Sequence, residues 1–186
     1  MLLFQGSFVL WTAIADPTSL VRLLGFAGGP SGTVAAWVLA AAVAAVYVWG
    51  AASISVVRQH MFKANRLKLL TIAAAVVAGI LEEVVFRKWV MDFLQSRGYA
   101  PAVQVLASGL SFGLAHFVWG FKRVSAGINA ALSTGALGLG LGIVYLVGGR
   151  SLAPCVVAHF VITALIEPGL ILAAVTDKLS YLRERV

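Results

Sequence analysis

The chain has 186 residues, of which 61% are hydrophobic and 11% charged, and its mean hydropathy is +0.97. Soluble domains carry about 25% charged residues and need that polarity to cover their surface, so the composition indicates an integral membrane protein. It excludes a disordered chain, a nucleic-acid module and a disulfide scaffold; Cys155 is the single cysteine, and the net charge is +7.

A membrane-spanning helix takes about 20 residues, so a chain of this length accommodates about six of them in one domain. The expected architecture is all-α, a polytopic transmembrane bundle over residues 1–186, with N-terminal helices within 1–57. The first apolar run, Leu2 to Ala15, is short for a full crossing. Ala13-Ile14-Ala15 resembles a cleavage site, but no basic residue precedes the run, as a signal peptide requires. Asp16-Pro17-Thr18-Ser19 reads as a break or helix start, and Gly28-Gly29-Pro30-Ser31-Gly32 as a loop.

Thr33 to Val57 is a long uncharged run and the clearest span. Arg58 to Lys68 is basic and reads as an interfacial loop or short helix, with His60 at its surface. A third helix is expected over Leu69 to about Leu94, a fourth over Pro101 to Trp119, a fifth over Ser125 to Val147 and a sixth over Leu152 to about Val175. The fifth carries Gly138 and Gly142 in GxxxG spacing, which lets helices approach closely in lipid. The tail from Asp177 is charged and expected at an interface.

Lys and Arg counts suggest the orientation. Arg58, Lys63, Arg66, Lys68, Lys122, Arg123, Lys178, Arg183 and Arg185 fall on one side, and Arg22, Arg87, Lys88, Arg97 and Arg150 on the other. The positive-inside rule then places both termini in the cytoplasm.

Ionisable groups inside apolar helices are costly and call for a reason. Glu82, Glu83 and Arg87 fall in the third helix, His116 in the fourth and His159 in the sixth. Glu83 and Arg87 are spaced i, i+4 with the acid first, the favourable order for an ion pair. Adjacent residues lie about 100° apart on a helix, so Glu82 points elsewhere, on the face of Phe86. A carboxylate left unpaired in a dry site suits a general base, although the same three residues could equally form a buried ion-pair cluster joining helices. Glu167 reads as a helix-end carboxylate before Pro168.

Three motifs occur in order: Glu82-Glu83-Val84-Val85-Phe86-Arg87 (EExxxR), Phe112-Gly113-Leu114-Ala115-His116 (FxxxH) and His159-Phe160-Val161-Ile162-Thr163. Together, on successive apolar helices, they resemble the CPBP family of CAAX-processing and bacteriocin-processing intramembrane proteases, also called Abi, over about residues 69–172. The resemblance implies a glutamic-type intramembrane endopeptidase related to type II CAAX prenyl proteases. Glu82 and His116 would activate water. His159, with the residue at 163, would stabilise the oxyanion. Glu83, Arg87 and Phe112 would support the site. The family has Asn where this chain has Thr163, whose hydroxyl can either donate or be lost to a bond with its own helix.

No cofactor is expected. Two Glu and two His could hold zinc, but the chain has no HExxH, and Glu83 already has Arg87 as a partner. The implied partners are the bilayer and a membrane-embedded or lipidated peptide substrate, and the implied location is a prokaryotic cytoplasmic membrane. Two other readings stay open. One is a non-proteolytic immunity or scaffold protein of the same fold. The other is a cysteine-based sorting peptidase using Cys155 and His159, which are spaced i, i+4.

Overall fold

The structure is a computed structural model that describes residues 2–121 and 124–183. Lys122, Arg123 and Arg185, counted above as interfacial charges, lie outside the described residues. In chain order the helices are α1 (Leu2–Ala15), α2 (Pro17–Leu23), α3 (Val34–Ala51), α4 (Ser55–His60), α5 (Arg66–Glu83), α6 (Asp92–Ser96), α7 (Pro101–His116), α8 (Val124–Val147) and α9 (Ala153–Arg183). A π-helical segment, Val84–Met91, joins α5 to α6, and a 3₁₀ turn, Phe117–Phe121, follows α7. No strand occurs among the described residues.

Among the described residues, five helical stretches are long and apolar enough to cross a membrane: Val34–Ala51, Arg66–Ser96, Pro101–Trp119, Val124–Val147 and Ala153–Val175. The protein is therefore an all-α, multi-pass membrane helix bundle. The first apolar run is the short element its length suggested: α1 has 14 residues and reaches about 21 Å, against a hydrocarbon core of about 30 Å. About six helices were expected: five of the described ones have the length and apolarity to cross, and α1 is the shorter one beside them.

Helix starts follow local chemistry. The side chain of Asp16 accepts from Ser19 N at 3.0 Å, Thr33 from Ala36 N at 3.1 Å and Asn65 from Lys68 N at 2.9 Å, so each satisfies a backbone donor in a first helical turn. Thr33 also donates to Val147 O at 3.0 Å, tying the start of α3 to the end of α8.

Two boundaries differ from the sequence reading. The run Thr33 to Val57 is two helices, because the chain tightens after Gly50. Ser53 N bonds Gly50 O at 3.2 Å, Ile54 N bonds Ala51 O at 3.1 Å, and the Ser53 hydroxyl donates to Gly50 O at 2.7 Å. The third helix begins at Arg66, where Asn65 caps it, and widens into the π segment directly after Glu83. Pro168 lies inside α9, within the helix expected from Leu152 to about Val175.

Large apolar side chains such as Trp49, Leu69, Leu110, Leu114 and Leu132 are exposed on the outside of the bundle, as a lipid-facing surface requires. Within it, α9 packs against α3, α4, α5 and α8, and α7 packs along α8. The α7–α8 seam is built on glycine. A Cβ on Gly113 would stand 2.5 Å from Ala131 O, and one on Gly138 would stand 2.9 Å from the Cα of Gly109. Gly142 faces Val105 across the same seam. This is the close approach that GxxxG spacing permits. Gly79 brings α5 against the α9 backbone in the same way, its Cβ position lying 3.7 Å from Phe160 N. Glu83 follows one turn later, beside His159.

Candidate active site

The π segment carries the second half of the EExxxR motif. A π turn bonds i to i+5 and occurs mostly as a local widening of an α-helix, frequently at functional sites. Glu83 and Arg87 still meet: Arg87 Nη1 lies 3.0 Å from Glu83 Oε1, and neither side chain has any exposed surface. Arg87 had been counted among the loop charges; burial of the whole side chain removes it from that count. Its Nη2 donates to Gly138 O at 3.3 Å, and its guanidinium lies 4.8 Å from the Phe112 ring centroid. A carboxylate, a carbonyl and a π face thus surround this buried cation.

His159 is held by the same carboxylate. Its Nδ1 lies 2.7 Å from Glu83 Oε1, and its Nε2 lies 3.5 Å from Glu82 Oε2. A carboxylate paired to an arginine can only accept, so Nδ1 carries the proton and Nε2 is the nitrogen presented to Glu82. The Glu82 side chain is 18% exposed, against 0% for Glu83. The adjacent acids are therefore distinct, one sealed into an ion pair and one open to the site.

Phe112 links the elements. Its ring centroid lies 5.1 Å from that of Phe86, 4.6 Å from His116 and 5.8 Å from His159, all with edge-on geometry. Both imidazoles therefore pack on one buried phenyl ring that also receives Arg87. His116 is partly buried, and its Nδ1 lies 2.9 Å from Phe112 O. A carbonyl only accepts, so His116 keeps a proton on Nδ1 and, when neutral, has a basic Nε2.

Thr163 is half-buried one turn after His159, and its hydroxyl has no hydrogen-bond partner among the described residues. It differs in this from Thr134, whose hydroxyl donates back to Ala130 O at 2.7 Å. Glu167 follows one turn later, partly buried and within electrostatic reach of Glu82, His116 and His159. It is not the helix-end carboxylate that its position before Pro168 suggested, since α9 continues past that proline.

Cys155 is fully buried, and its thiol donates to Leu141 O at 3.4 Å. Its hydrogen bond runs to α8 while His159 turns to Glu83. His60 bonds Val56 O within α4 and takes no part in the cluster. Among the described residues no group of three or more His, Cys, Asp or Glu is arranged to hold a metal ion.

Two supports of the site were not visible in the sequence. Lys68, counted as a loop charge, donates from Nζ to Ala164 O at 2.6 Å and to Met61 O at 2.7 Å. Ala164 is the residue four before Pro168, and proline has no N–H to offer that carbonyl. The ammonium group of Lys68 therefore fills the gap that the proline leaves, and it joins the start of α5 to the middle of α9. The signal was available as the i−4 partner of a helix-internal proline, but nothing in the sequence named the donor.

The second support is a clamp beyond the π segment. Asp92 Oδ1 accepts from Arg150 Nε at 2.7 Å and from the Tyr145 hydroxyl at 3.0 Å, while its Oδ2 pairs with Lys88 at 3.0 Å. Arg150 also donates from both terminal nitrogens to Gln104 Oε1 at 3.2 Å. Its backbone is held at φ +67°, a conformation unfavourable for a residue with a side chain. The clamp joins the chain after the π segment to α7, to α8 and to the α8–α9 turn.

A family model described as type II CAAX prenyl endopeptidase Rce1-like matches residues 64–165, more than half of the chain. No curated protein and no solved structure matches.

Proposed function

The chain belongs to the type II CAAX prenyl endopeptidase Rce1-like family, and on that premise we propose that Glu82, His116 and His159 are the catalytic residues of an intramembrane glutamic peptidase. The substrate in this reading is a membrane-embedded or lipidated protein whose C-terminal region is cut.

The observation that carries the reading is the division of labour between adjacent carboxylates. Glu83 is consumed by Arg87 and by His159 Nδ1. Glu82 remains, partly open, across 3.5 Å from His159 Nε2. That separation is long for a direct hydrogen bond and suits groups that act on a shared third partner. A water placed there gives a proton to the Glu82 carboxylate as its oxygen attacks the peptide carbonyl, with the free Nε2 of His116 as the second acceptor. His159 Nε2, when protonated, and the Thr163 hydroxyl donate to the oxygen that becomes negative. The proton held by Glu82 passes to the leaving amine.

In this mechanism Arg87 and Phe112 do not touch substrate. Arg87 fixes Glu83, and Glu83 fixes the ring of His159. No metal enters the reaction as proposed; the Glu82 carboxylate and the His116 imidazole supply the proton transfers, and His159 supplies a hydrogen bond.

The test is to delete the protein from its cell and search the membrane fraction by mass spectrometry for peptides that retain their C-terminal tails. The deletion is expected to accumulate such peptides, and wild-type protein supplied in trans is expected to clear them. An unchanged membrane peptide profile contradicts the reading.

A further inference from the structure

A second polar site lies away from the two imidazoles. Residues from α2, the loop before α3, the π segment and the α8–α9 turn line a cavity of about 950 Å³. Arg22, Lys88 and Arg150 stand in its wall with Ser19, Thr33 and Ser151. It shares no residue with the Glu82, His116 and His159 cluster.

The charge around this cavity is unbalanced. Asp92 alone serves both Lys88 and Arg150, at 3.0 and 2.7 Å. Arg22 makes no ion pair within 4 Å among the described residues. The carboxylate nearest to it along α2, Asp16, is used by the Ser19 amide and hydroxyl. The Ser151 hydroxyl is buried without a hydrogen-bond partner. An ammonium with three donors retains two after meeting Asp92, and the guanidinium of Arg150 likewise has more N–H groups than it has acceptors here. Three cations and the Ser151 hydroxyl, from α2, the π segment and the α8–α9 turn, thus line one cavity with spare donors, which matches an anion with several acceptor oxygens.

We propose that this cavity binds a phosphate group, carried by a phospholipid headgroup or present as free phosphate. Its position explains the lipid source. The cavity lies where α3 and α9 begin and α8 ends, which is the headgroup level of three spanning helices, and Leu23 and Val34 add apolar wall. A phosphate between Arg22 and the Lys88–Arg150 pair joins α2 to the end of the π segment and to the α8–α9 turn.

The experiment uses the full chain in neutral detergent micelles, with ligand binding followed by thermal unfolding and by native mass spectrometry. The probes are phosphatidylglycerol, inorganic phosphate and, as the phosphate-free lipid, diacylglycerol. Saturable stabilisation by phosphatidylglycerol and not by diacylglycerol is expected, with about a fivefold weaker affinity in Arg22→Gln. Arg22 is exposed and unpaired, so the melting temperature of that variant without lipid should match wild type; Lys88→Gln provides a second variant. Stabilisation by inorganic phosphate alone, sensitive to the same substitutions, assigns the site to the free ion. Equal stabilisation by diacylglycerol and phosphatidylglycerol, or affinities unchanged in both variants, overturns the proposal.

Discussion

Nδ1 of His159 lies 2.7 Å from Oε1 of Glu83, so an acid on α5 sets the orientation of an imidazole on α9. The same oxygen faces Arg87 at 3.0 Å. An imidazole that is aimed by a buried ion pair depends on both members of the pair. Arg87→Gln leaves Glu83 buried and uncompensated and should cost about 3–5 kcal/mol of stability. The Glu83→Gln/Arg87→Gln double variant should lose less than the sum of the single losses. Thermal unfolding of the four proteins in one detergent checks this, and strict additivity would show that the two side chains act independently.

Facing glycines should not respond alike. A Cβ on Gly113 meets Ala131 O at 2.5 Å and the Gly135 backbone at 3.0 Å, whereas a Cβ on Gly135 meets nothing closer than 3.6 Å. Gly113→Ala therefore forces α7 away from α8 and disturbs Phe112 and His116, at about 1–3 kcal/mol. Gly135→Ala should be near neutral in both melting temperature and peptide cleavage.

Lys68 and Pro168 should be coupled. Lys68→Met removes the donor at 2.6 Å from Ala164 O and should destabilise by about 1–3 kcal/mol, the cost of an unsatisfied buried carbonyl. Pro168→Ala restores a backbone N–H to that carbonyl. In the Pro168→Ala background the further loss on Lys68→Met should shrink, and a melting-temperature cycle over the four proteins measures it. An equal loss in both backgrounds would show that Lys68 acts elsewhere, for example through Met61.

These residues mark how far the sequence could be read. Glu82, Glu83, Arg87, His116 and His159 stood out because ionisable groups are rare in apolar helices, and the i, i+4 spacing of Glu83 and Arg87 gave their ion pair directly. The selection of Glu83 as the partner of His159 was not legible, because it depends on the close approach of α5 to α9 at Gly79. Lys68 was hidden for a related reason: a lysine flanking an apolar run looks like a loop charge until the opposing helix is placed. The π segment had no signature, since EExxxR reads identically on an α-helix. The strained Arg150 looked like an ordinary turn residue, and its contacts come from three other segments of the chain.

The proposed mechanism gives Thr163 a hydrogen bond to the oxyanion. Its hydroxyl makes no bond within the described residues and remains able to donate. Thr163→Val should lower kcat about 10²–10³-fold with little change in KM, as loss of a transition-state donor does. Thr163→Asn, which introduces the residue that the resemblance implies at this position, should retain activity. Steady-state cleavage kinetics on a peptide recovered from the deletion strain compare the three proteins; full activity in Thr163→Val would remove the hydroxyl from the mechanism.

The central claim is that the Glu82 carboxylate takes the proton from the attacking water. Its most direct measurement is single-turnover hydrolysis of a tailed membrane peptide by wild type and Glu82→Gln in the same lipid vesicles, with matched folding confirmed by melting temperature. The account predicts a rate lower by about 10²–10⁴-fold in Glu82→Gln, at unchanged substrate binding. Cleavage by Glu82→Gln at the wild-type rate would contradict it.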